Sequence, residues 1–231
     1  MEKNYIDKYK AVEENHPWFK ARRKLFRSII PNDKELRILD FGCGSGQFLI
    51  SLCNEGYKNL FGIEPNISKK VISINNVDIS INKKLDKNNK YDVVLMMDVL
   101  EHIEDDLGII LKIVSQLNNG GMLLISVPAY NLLWSEHDTK NMHFRRYNRK
   151  TLSYILKQTD LNIKWISNWN FFMFPLIAIN RLCRNKFKQE IEIPHEIISF
   201  ILYKLLCLEN ILLKKIGLPF GVSIIACAEK N

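Results

Sequence analysis

Apolar and polar residues form alternating blocks along the chain, and these blocks predict strands and helices in turn. Short apolar runs predict seven strands, at residues 37–42, 60–64, 77–81, 91–98, 122–128, 162–169 and 222–230. Apolar residues at helical spacing predict helices from Pro17 onward and at residues 47–56, 66–74, 105–117, 149–159 and 195–217. Strands that alternate with helices build a parallel sheet covered on both faces. The pattern therefore predicts an α/β fold with a doubly wound, mostly parallel, seven-stranded Rossmann-like sheet.

The chain has 231 residues, which is enough for one domain with a sizeable insertion. We divide it into an N-terminal helical lid (1–35), a core (36–170), an apolar helical insertion (171–220) and a last strand (221–231). Apolar residues make up 47% and charged residues 25%, a composition that excludes a disordered chain. No apolar run has the length of a membrane span, and the charged N-terminus lacks the apolar segment of a signal peptide. The five cysteines include no C-x-x-C pair, which predicts reduced, buried thiols in a cytoplasmic protein and no metal site.

The formal net charge is +8, a sign that suits phosphorylated substrates, anionic lipid surfaces or nucleic acid. The charge is uneven, because residues 139–164 contain seven Lys or Arg and a single acid. This segment follows the fifth predicted strand, so it favours an anionic substrate near the end of that strand.

A glycine-rich turn, Asp40-Phe41-Gly42-Cys43-Gly44-Ser45-Gly46, joins the first strand to the next helix. Small residues there let a ligand approach free N–H groups at the start of the helix. A dinucleotide-binding turn has the spacing G-x-G-x-x-G, which would require glycine where Gln47 stands. Glu64, at the end of the second strand, is placed to accept hydrogen bonds from both hydroxyls of a ribose.

Five segments in order resemble the class I S-adenosylmethionine (SAM) methyltransferases, in the group that includes quinone and small-molecule methyltransferases. They are ILDFGCGSGQF, FGIEP, YDVVLMMDVLEHIED, LNNGGMLLISVP and HFRRYNRKTL, preceded by a looser match, HPWFKARR. The segments WSEHDTKNMHFRRY and LPFGVSIIACAEK also resemble bacterial members associated with glycan or lipid-linked-sugar biosynthesis.

The resemblance implies SAM as the cofactor and S-adenosylhomocysteine (SAH) as its product. It implies that Asp40 and the backbone of the glycine turn hold the methionine part, that Glu64 binds the ribose, and that the lid closes over the cofactor. The implied cofactor-binding residues are Trp18, Arg22, Asp40, Gly42, Cys43, Gly44, Gly46, Glu64, Pro65, Met97, Asp98 and His102. One departure concerns the acid that many members place after the third strand to face the adenine amine. Here Asp78 comes too early, and Asn82 could replace it as an acceptor.

Methyl transfer needs proximity and alignment, and it needs a base only where the acceptor must lose a proton. The loop after the fifth strand should overhang the cofactor. There we expect His137, His143 and Tyr147 to be the catalytic candidates, with Trp134, Asp138, Arg145 and Arg146 binding substrate. A zinc site formed by His137, Asp138 and His143 lacks further His or Cys ligands, and we predict no metal.

The insertion has two interpretations that the sequence leaves open. Its helices could form core or a homodimer interface, or they could form an apolar surface for a lipid-bearing acceptor and for peripheral contact with the inner face of the membrane. We predict a methyltransferase acting on a small molecule, at an oxygen of an anionic sugar-type or lipid-linked metabolite. The alternatives are an RNA methyltransferase, which is not favoured because no RNA-binding module is recognisable, and a non-catalytic subunit with the same fold.

Overall fold

The computed structural model describes residues 12–66, 70–182 and 193–231. Eight strands are described: β1 (Arg37–Phe41), β2 (Asn59–Ile63), β3 (Lys70–Ile74), β4 (Val77–Asn82), β5 (Tyr91–Met97), β6 (Leu117–Pro128), β7 (Leu161–Trp169) and β8 (Ser223–Lys230). The α-helices named here are α1 (Pro17–Arg27), α2 (Gln47–Asn54), α3 (Asp106–Gln116), α4 (Glu136–Lys140), α5 (Arg149–Leu156), α6 (Phe174–Leu182) and α7 (Glu196–Ile216). Two 3₁₀ turns, Leu100–His102 and Asn131–Leu133, follow β5 and β6.

All eight strands form one sheet in the order β3-β4-β2-β1-β5-β6-β8-β7. The five central strands from β4 to β6 run parallel, while β3, β8 and β7 join their neighbours antiparallel. The strand order reverses beside β1, between β2 and β5, and ligands bind at such a switch point in open α/β sheets. The predicted doubly wound fold is confirmed, with one strand more than expected.

The extra strand is β3, and the predicted helix at residues 66–74 is wrong over Lys70–Ile74. These residues pair with β4 in a hairpin whose turn residues, Asn75 and Asn76, have φ angles of +51° and +61°. A two-residue turn with both φ angles positive matches the twist of a hairpin, and asparagine tolerates that conformation. Ile72 and Ile74, which are partly buried on either side of the exposed Ser73, were the period-two signal that a helical interpretation overlooked.

Each face of the sheet carries its own apolar core, because side chains of β1 alternate between the two faces. Ile38 packs with α1, α2 and α7, whereas Leu39 packs with α3 and α5. The insertion contributes to the first core, since α7 buries Leu206 and Leu213 there. The core interpretation of the insertion therefore holds for one face of α7.

Candidate functional site

The glycine turn lies at the carboxyl end of β1, where Gly42, Gly44 and Gly46 have φ angles of +78°, +52° and +85°. At Gly42 an added Cβ would lie 2.3 Å from Cγ2 of Val99, so close packing requires glycine there. Gly44 differs, because a Cβ at that position would meet only the carboxylate oxygens of Glu13, at 3.9 Å. Backbone at Gly44 is thus the part of the turn that a ligand can approach.

Acidic side chains surround this turn. Asp40 is 1% exposed, and its Oδ1 accepts no hydrogen bond from any described residue. Burial raises the pKa of Asp40 to about 7, with Glu13 and Glu64 adding to the effect and Arg22 opposing it. Glu64 accepts hydrogen bonds from the N–H groups of Gly44 (3.2 Å) and Asn66 (3.1 Å). Pro65 lies between Glu64 and Asn66 in the turn that follows β2. A buried acceptor without a partner and a concentration of carboxylates favour a cationic ligand.

Glu13 is a member of this group that sequence reasoning missed. Its Oε2 accepts a hydrogen bond of 2.7 Å from Oγ of Ser45, across 32 positions of the chain. No local pattern around Glu13 signals that contact, because only the packing of the N-terminal segment over the turn creates it. Cys43, by contrast, is a buried free thiol whose pKa is raised by burial and then by Asp40. Its N–H donates to the carbonyl of Ile63 (3.0 Å) and its carbonyl accepts from the N–H of Gly46 (2.9 Å), so its backbone shapes the turn.

The segment predicted to be a lid contains helix α1, which reaches the site. Pro17 opens α1, and Nδ1 of His16 accepts from the N–H of Trp18 at 3.2 Å. Arg22 forms an ion pair with Asp98 and stacks on Trp18, with its guanidinium carbon 4.6 Å from the ring centroid. Trp18 in turn lies 5.5 Å from the ring of Trp169.

Asp98 follows Met97 at the end of β5 in a left-handed conformation, with a φ of +56°. Its Oδ1 accepts from Oγ of Ser126 (3.0 Å), and its N–H donates to the carbonyl of Ser126 (2.9 Å). These bonds fix Asp98 beside β6, so that its other oxygen receives Arg22. The structure thus brings Trp18, Arg22 and Asp98 together, with Met97 next to Asp98 in the chain, and their role in binding the cofactor stays a prediction.

A second cluster lies where the 3₁₀ turn after β5 meets the loop after β6. One ligand atom from each of Glu101, His102 and His143 lies within 4.8 Å of the other two. The rings of His102 and His143 meet edge to face with centroids 4.5 Å apart. Burial, and next Asp98, raise the pKa of Glu101, whereas burial and His143 lower the pKa of His102. The spacing could also admit a metal ion, in a set that differs from the His137, Asp138 and His143 combination considered from the sequence.

Asp138 is the centre of the loop after β6 and is fully buried. Its Oδ1 faces Nδ1 of His143 at 2.9 Å, and Arg146 donates to both of its oxygens, at 2.8 and 3.0 Å. Ser135 adds bonds from its N–H (2.9 Å) and its hydroxyl (3.1 Å). Burial alone would raise the pKa of Asp138, but these bonds and the Arg146 charge outweigh it and hold the pKa below its ordinary value. An ionised Asp138 can only accept, so Nδ1 of His143 donates to it, and in the neutral imidazole Nε2 is the nitrogen with the lone pair.

The remaining polar residues of the loop bind two different carboxylates, Asp138 and Asp106. Arg146 is buried and also donates to the carbonyl of Ala129 at 2.9 Å, so it positions Asp138 rather than facing open solvent. Arg145 pairs with Asp106 at 2.7 Å, and the buried Tyr147 donates its hydroxyl to the same carboxylate at 3.0 Å. Burial, and then Asp106, raise the pKa of Tyr147, which makes it a poor base.

Two aromatic members of the loop flank this group. Trp134 is 39% exposed and donates to Oγ1 of Thr139 at 3.2 Å. His137 is half-buried, and burial lowers its pKa despite the neighbouring Asp138. Its Nε2 lies 3.3 Å from the side-chain nitrogen of Asn141. The ring centroid of His137 is 6.2 Å from that of His143, so His137 stands beside the cluster and not at its centre.

The acceptor that we expect to face the adenine amine lies at the end of β4. Asp78 does not contribute to this region, because its carboxylate accepts a hydrogen bond of 2.6 Å from the hydroxyl of Ser73 across the β3–β4 hairpin. Asn82 is the last residue of β4, and its backbone carbonyl accepts from the N–H of Glu64 at 2.9 Å. A cavity of about 820 Å³ opens beside Asn82 and is lined by Gly62, Ile63, Lys83 and neighbouring residues. None of the residues that line this cavity belongs to the glycine turn. The evidence for a ligand at the turn is therefore the unpaired oxygen of Asp40 and not a cavity.

Comparison with known proteins assigns the family. Residues 12–164 match the family model described as a methyltransferase domain. The chain belongs to this methyltransferase family. The match spans the lid helix, the glycine turn, β5 with its 3₁₀ turn, and the loop after β6.

Individual relatives share little sequence identity with this chain. The methyltransferase is 26% identical over 199 residues to a ubiquinone biosynthesis O-methyltransferase of Rickettsia typhi, covering 76% of each chain. It is 26% identical over 150 residues to a tRNA U34 carboxymethyltransferase of Actinobacillus pleuropneumoniae, covering 60% of this chain and 46% of the other. Among solved structures it resembles a Haemonchus contortus phosphoethanolamine N-methyltransferase in complex with SAH, with a TM-score of 0.60 and 16% identity over 97% of this chain and 57% of that one.

The methyltransferase is a SAM-dependent enzyme, and its residues suit that cofactor. SAM carries an ammonium and a sulfonium against one carboxylate, so its net charge is positive. Asp40, with its unpaired buried oxygen, and Glu64, on the backbone of Gly44, provide complementary acceptors. Of the helices in the described ranges, none has the length and apolar character needed to cross a bilayer.

Proposed function

We propose that the methyltransferase methylates an oxygen of a small molecule and that His143 is its general base. The observation that supports this proposal is the Asp138–His143 pair, in which a buried carboxylate fixes the tautomer of a histidine next to His102. The loop that carries the pair follows β6, the neighbour of β5, so it stands over the carboxyl ends of the strands that hold the cofactor residues. The Rickettsia relative is itself named as an O-methyltransferase.

The proposed reaction is an in-line displacement. SAM supplies a methyl group that its sulfonium already activates. Nε2 of His143 would take the proton of the acceptor hydroxyl as the acceptor oxygen takes the methyl group, and bound SAM would leave as SAH. Asp138 stabilises the resulting imidazolium without taking the proton. Arg146 and Ser135 keep Asp138 in place, and the lid residues Trp18 and Arg22 exclude water from the cofactor.

The acceptor that we infer is anionic or lipid-linked. Its anionic character is supported by the excess of basic residues at 139–164, although Arg145 and Arg146 use their charges on Asp106 and Asp138. Its lipid character is supported by aromatic rings next to the loop. Tyr130 meets Phe174 at 5.9 Å, and Phe174 meets Phe220 at 5.1 Å. The alternative function of the insertion is to form a homodimer interface.

A labelled-methyl assay tests the proposal. The protein is incubated with methyl-labelled SAM and with three fractions of a cell extract: organic-soluble lipids, aqueous sugars and total tRNA. We expect label in the lipid or sugar fraction, in an ether linkage that survives mild base. Label confined to tRNA would favour the RNA alternative, which the overall charge and the Actinobacillus relative support.

His143→Ala should lower kcat by about 10²- to 10⁴-fold, the usual contribution of a general base. The dissociation constant for SAM, measured by titration calorimetry, should stay within about twofold, because His143 is proposed to touch the acceptor. His137→Ala is the matched control from the same loop and should retain most of the activity. Equal losses in the two variants would show that the loop matters only for packing.

A further inference from the structure

Helix α7 has two faces of opposite burial. Its inner face, which includes Leu206, Glu209, Asn210 and Leu213, is buried against the body of the protein. Its opposite face forms what we name the outer stripe: Ile197, Ile201, Lys204, Leu208, Ile211 and Lys215. These positions advance by four and three residues in turn, so they lie along one side of the helix.

The outer stripe is apolar where a surface helix is ordinarily polar. Ile201 is 60% exposed, Leu208 50% and Ile211 53%. Exposed Ile198, Phe200 and Ile216 border the stripe. Exposed apolar side chains grouped along one side of a helix in this way mark a binding face.

The charges along the stripe identify what binds there. The stripe contains two lysines and no acid, and Lys214 next to it is also exposed. The exposed acid of the helix, Glu196, stands at its first residue, and Glu209 is buried on the inner face. Apolar side chains flanked by lysines complement an anionic lipid surface, where the apolar groups enter the interface and the lysines meet phosphates.

A second copy of the chain is the less suitable occupant. In a two-fold-related pair the same stripe would face itself, and Lys204 and Lys215 would be covered without an acid on the stripe to pair with them. We propose that the outer stripe of α7 docks this methyltransferase on an anionic membrane surface.

The docked helix is connected to the acceptor side of the enzyme. Glu209, on the inner face, accepts from the N–H of Phe171 at 2.9 Å, and the ring of Phe171 lies 4.5 Å from that of Phe220. From Phe220 the rings continue through Phe174 to Tyr130, which follows β6. The idea that a lipid-linked acceptor reaches the site along these rings rests on the proposed function. The docking of α7 on a membrane surface does not depend on it.

Vesicle flotation tests the proposal on the full chain. The vesicles contain either phosphatidylcholine alone or an equal mixture with phosphatidylglycerol. Wild type should float with the mixed vesicles and far less with the neutral ones. Ile201→Glu combined with Leu208→Glu should weaken partitioning at least about tenfold, and Lys204→Gln combined with Lys215→Gln should weaken it comparably and reduce its salt dependence. Leu111→Glu, at a 46% exposed leucine of α3 on the other sheet face, is the matched control and should float like wild type.

Circular dichroism melting and SAM titration accompany each variant. Unchanged melting with lost flotation supports docking through the stripe. Flotation of the Ile201→Glu, Leu208→Glu protein equal to wild type would overturn the proposal. It would also be overturned by a wild-type dimer that those substitutions split and that never binds vesicles. Retained flotation without any methyl transfer would count against the proposed function and leave the docking surface standing.

Discussion

Asp40 should give the cofactor site a pH response near neutrality. Its folded-state pKa of about 7 exceeds the ordinary 3.8 because burial disfavours the charged form. Stability from the protonated group is complete below the unfolded pKa and is lost as pH rises toward 7. The free energy of unfolding of the cofactor-free protein should therefore fall between about pH 4 and 7, by an amount on the order of a few kcal/mol.

Asp40→Asn should flatten that fall and make the cofactor-free protein more stable than wild type at pH 7, while it weakens SAM binding. Urea unfolding at several pH values measures the effect. Asp78→Asn, at an exposed carboxyl of β4, is the matched control and should leave the slope unchanged. A less stable Asp40→Asn protein with the wild-type slope would contradict the role of burial.

Glu13 should contribute to binding of the charged end of the cofactor. It lies on Ser45 and over Gly44, beside Glu64, so Glu13→Gln should weaken SAM binding about tenfold. Binding of 5′-methylthioadenosine, which lacks the amino-acid end of SAM, should be unaffected. Glu14→Gln, at the adjacent exposed position, controls for net charge. Tighter SAM binding by Glu13→Gln would instead show that Glu13 competes with the cofactor for the turn.

At the scale of elements, Asn210 joins the insertion to the lid. Its Oδ1 accepts from Nε1 of Trp169 (2.9 Å), and its side-chain nitrogen donates to the carbonyl of Ala21 (3.0 Å). Asn210→Ala leaves both partners buried and unpaired, which should lower the free energy of unfolding by about 2–4 kcal/mol. Chemical unfolding measures this loss, and Asn162→Ala on the exposed side of β7 should cost far less. Equal losses would show that the bridge carries little weight.

The sequence predicts an element well when the residues that determine it are close together in the chain. The parallel strands and α2 follow from apolar runs bounded by the glycine turn, and His16-Pro17 fixes the start of α1. The β3–β4 hairpin was missed because residues 66–74 also contain isoleucines at helical spacing, and the Asn75-Asn76 turn decides between the two periods. Family motifs mark Asp40, Gly44 and Glu64, which the structure places around one turn, and their roles toward the cofactor stay predictions.

At the scale of the whole molecule, long-range contacts decided what sequence could not. Arg146 lies in a basic segment and was expected to bind substrate, yet it is turned inward to Asp138. Arg22 and Asp98 are 76 positions apart, and their pairing emerges only when α1 packs on the sheet edge. The division of the chain into lid, core and insertion stays a prediction, and limited proteolysis with mass spectrometry can test it.

The Asn210 bridge has a consequence for turnover. Asn210 ties α1 to Trp169 and to α7, and among the described residues of the N-terminal segment residues 12–16 lie before this bridge. We therefore expect the exchange of SAH for SAM to require that the Glu13–Ser45 hydrogen bond breaks while α1 stays packed on the sheet. Opening at this one hydrogen bond would let SAH dissociate while the residues of the acceptor side keep their positions.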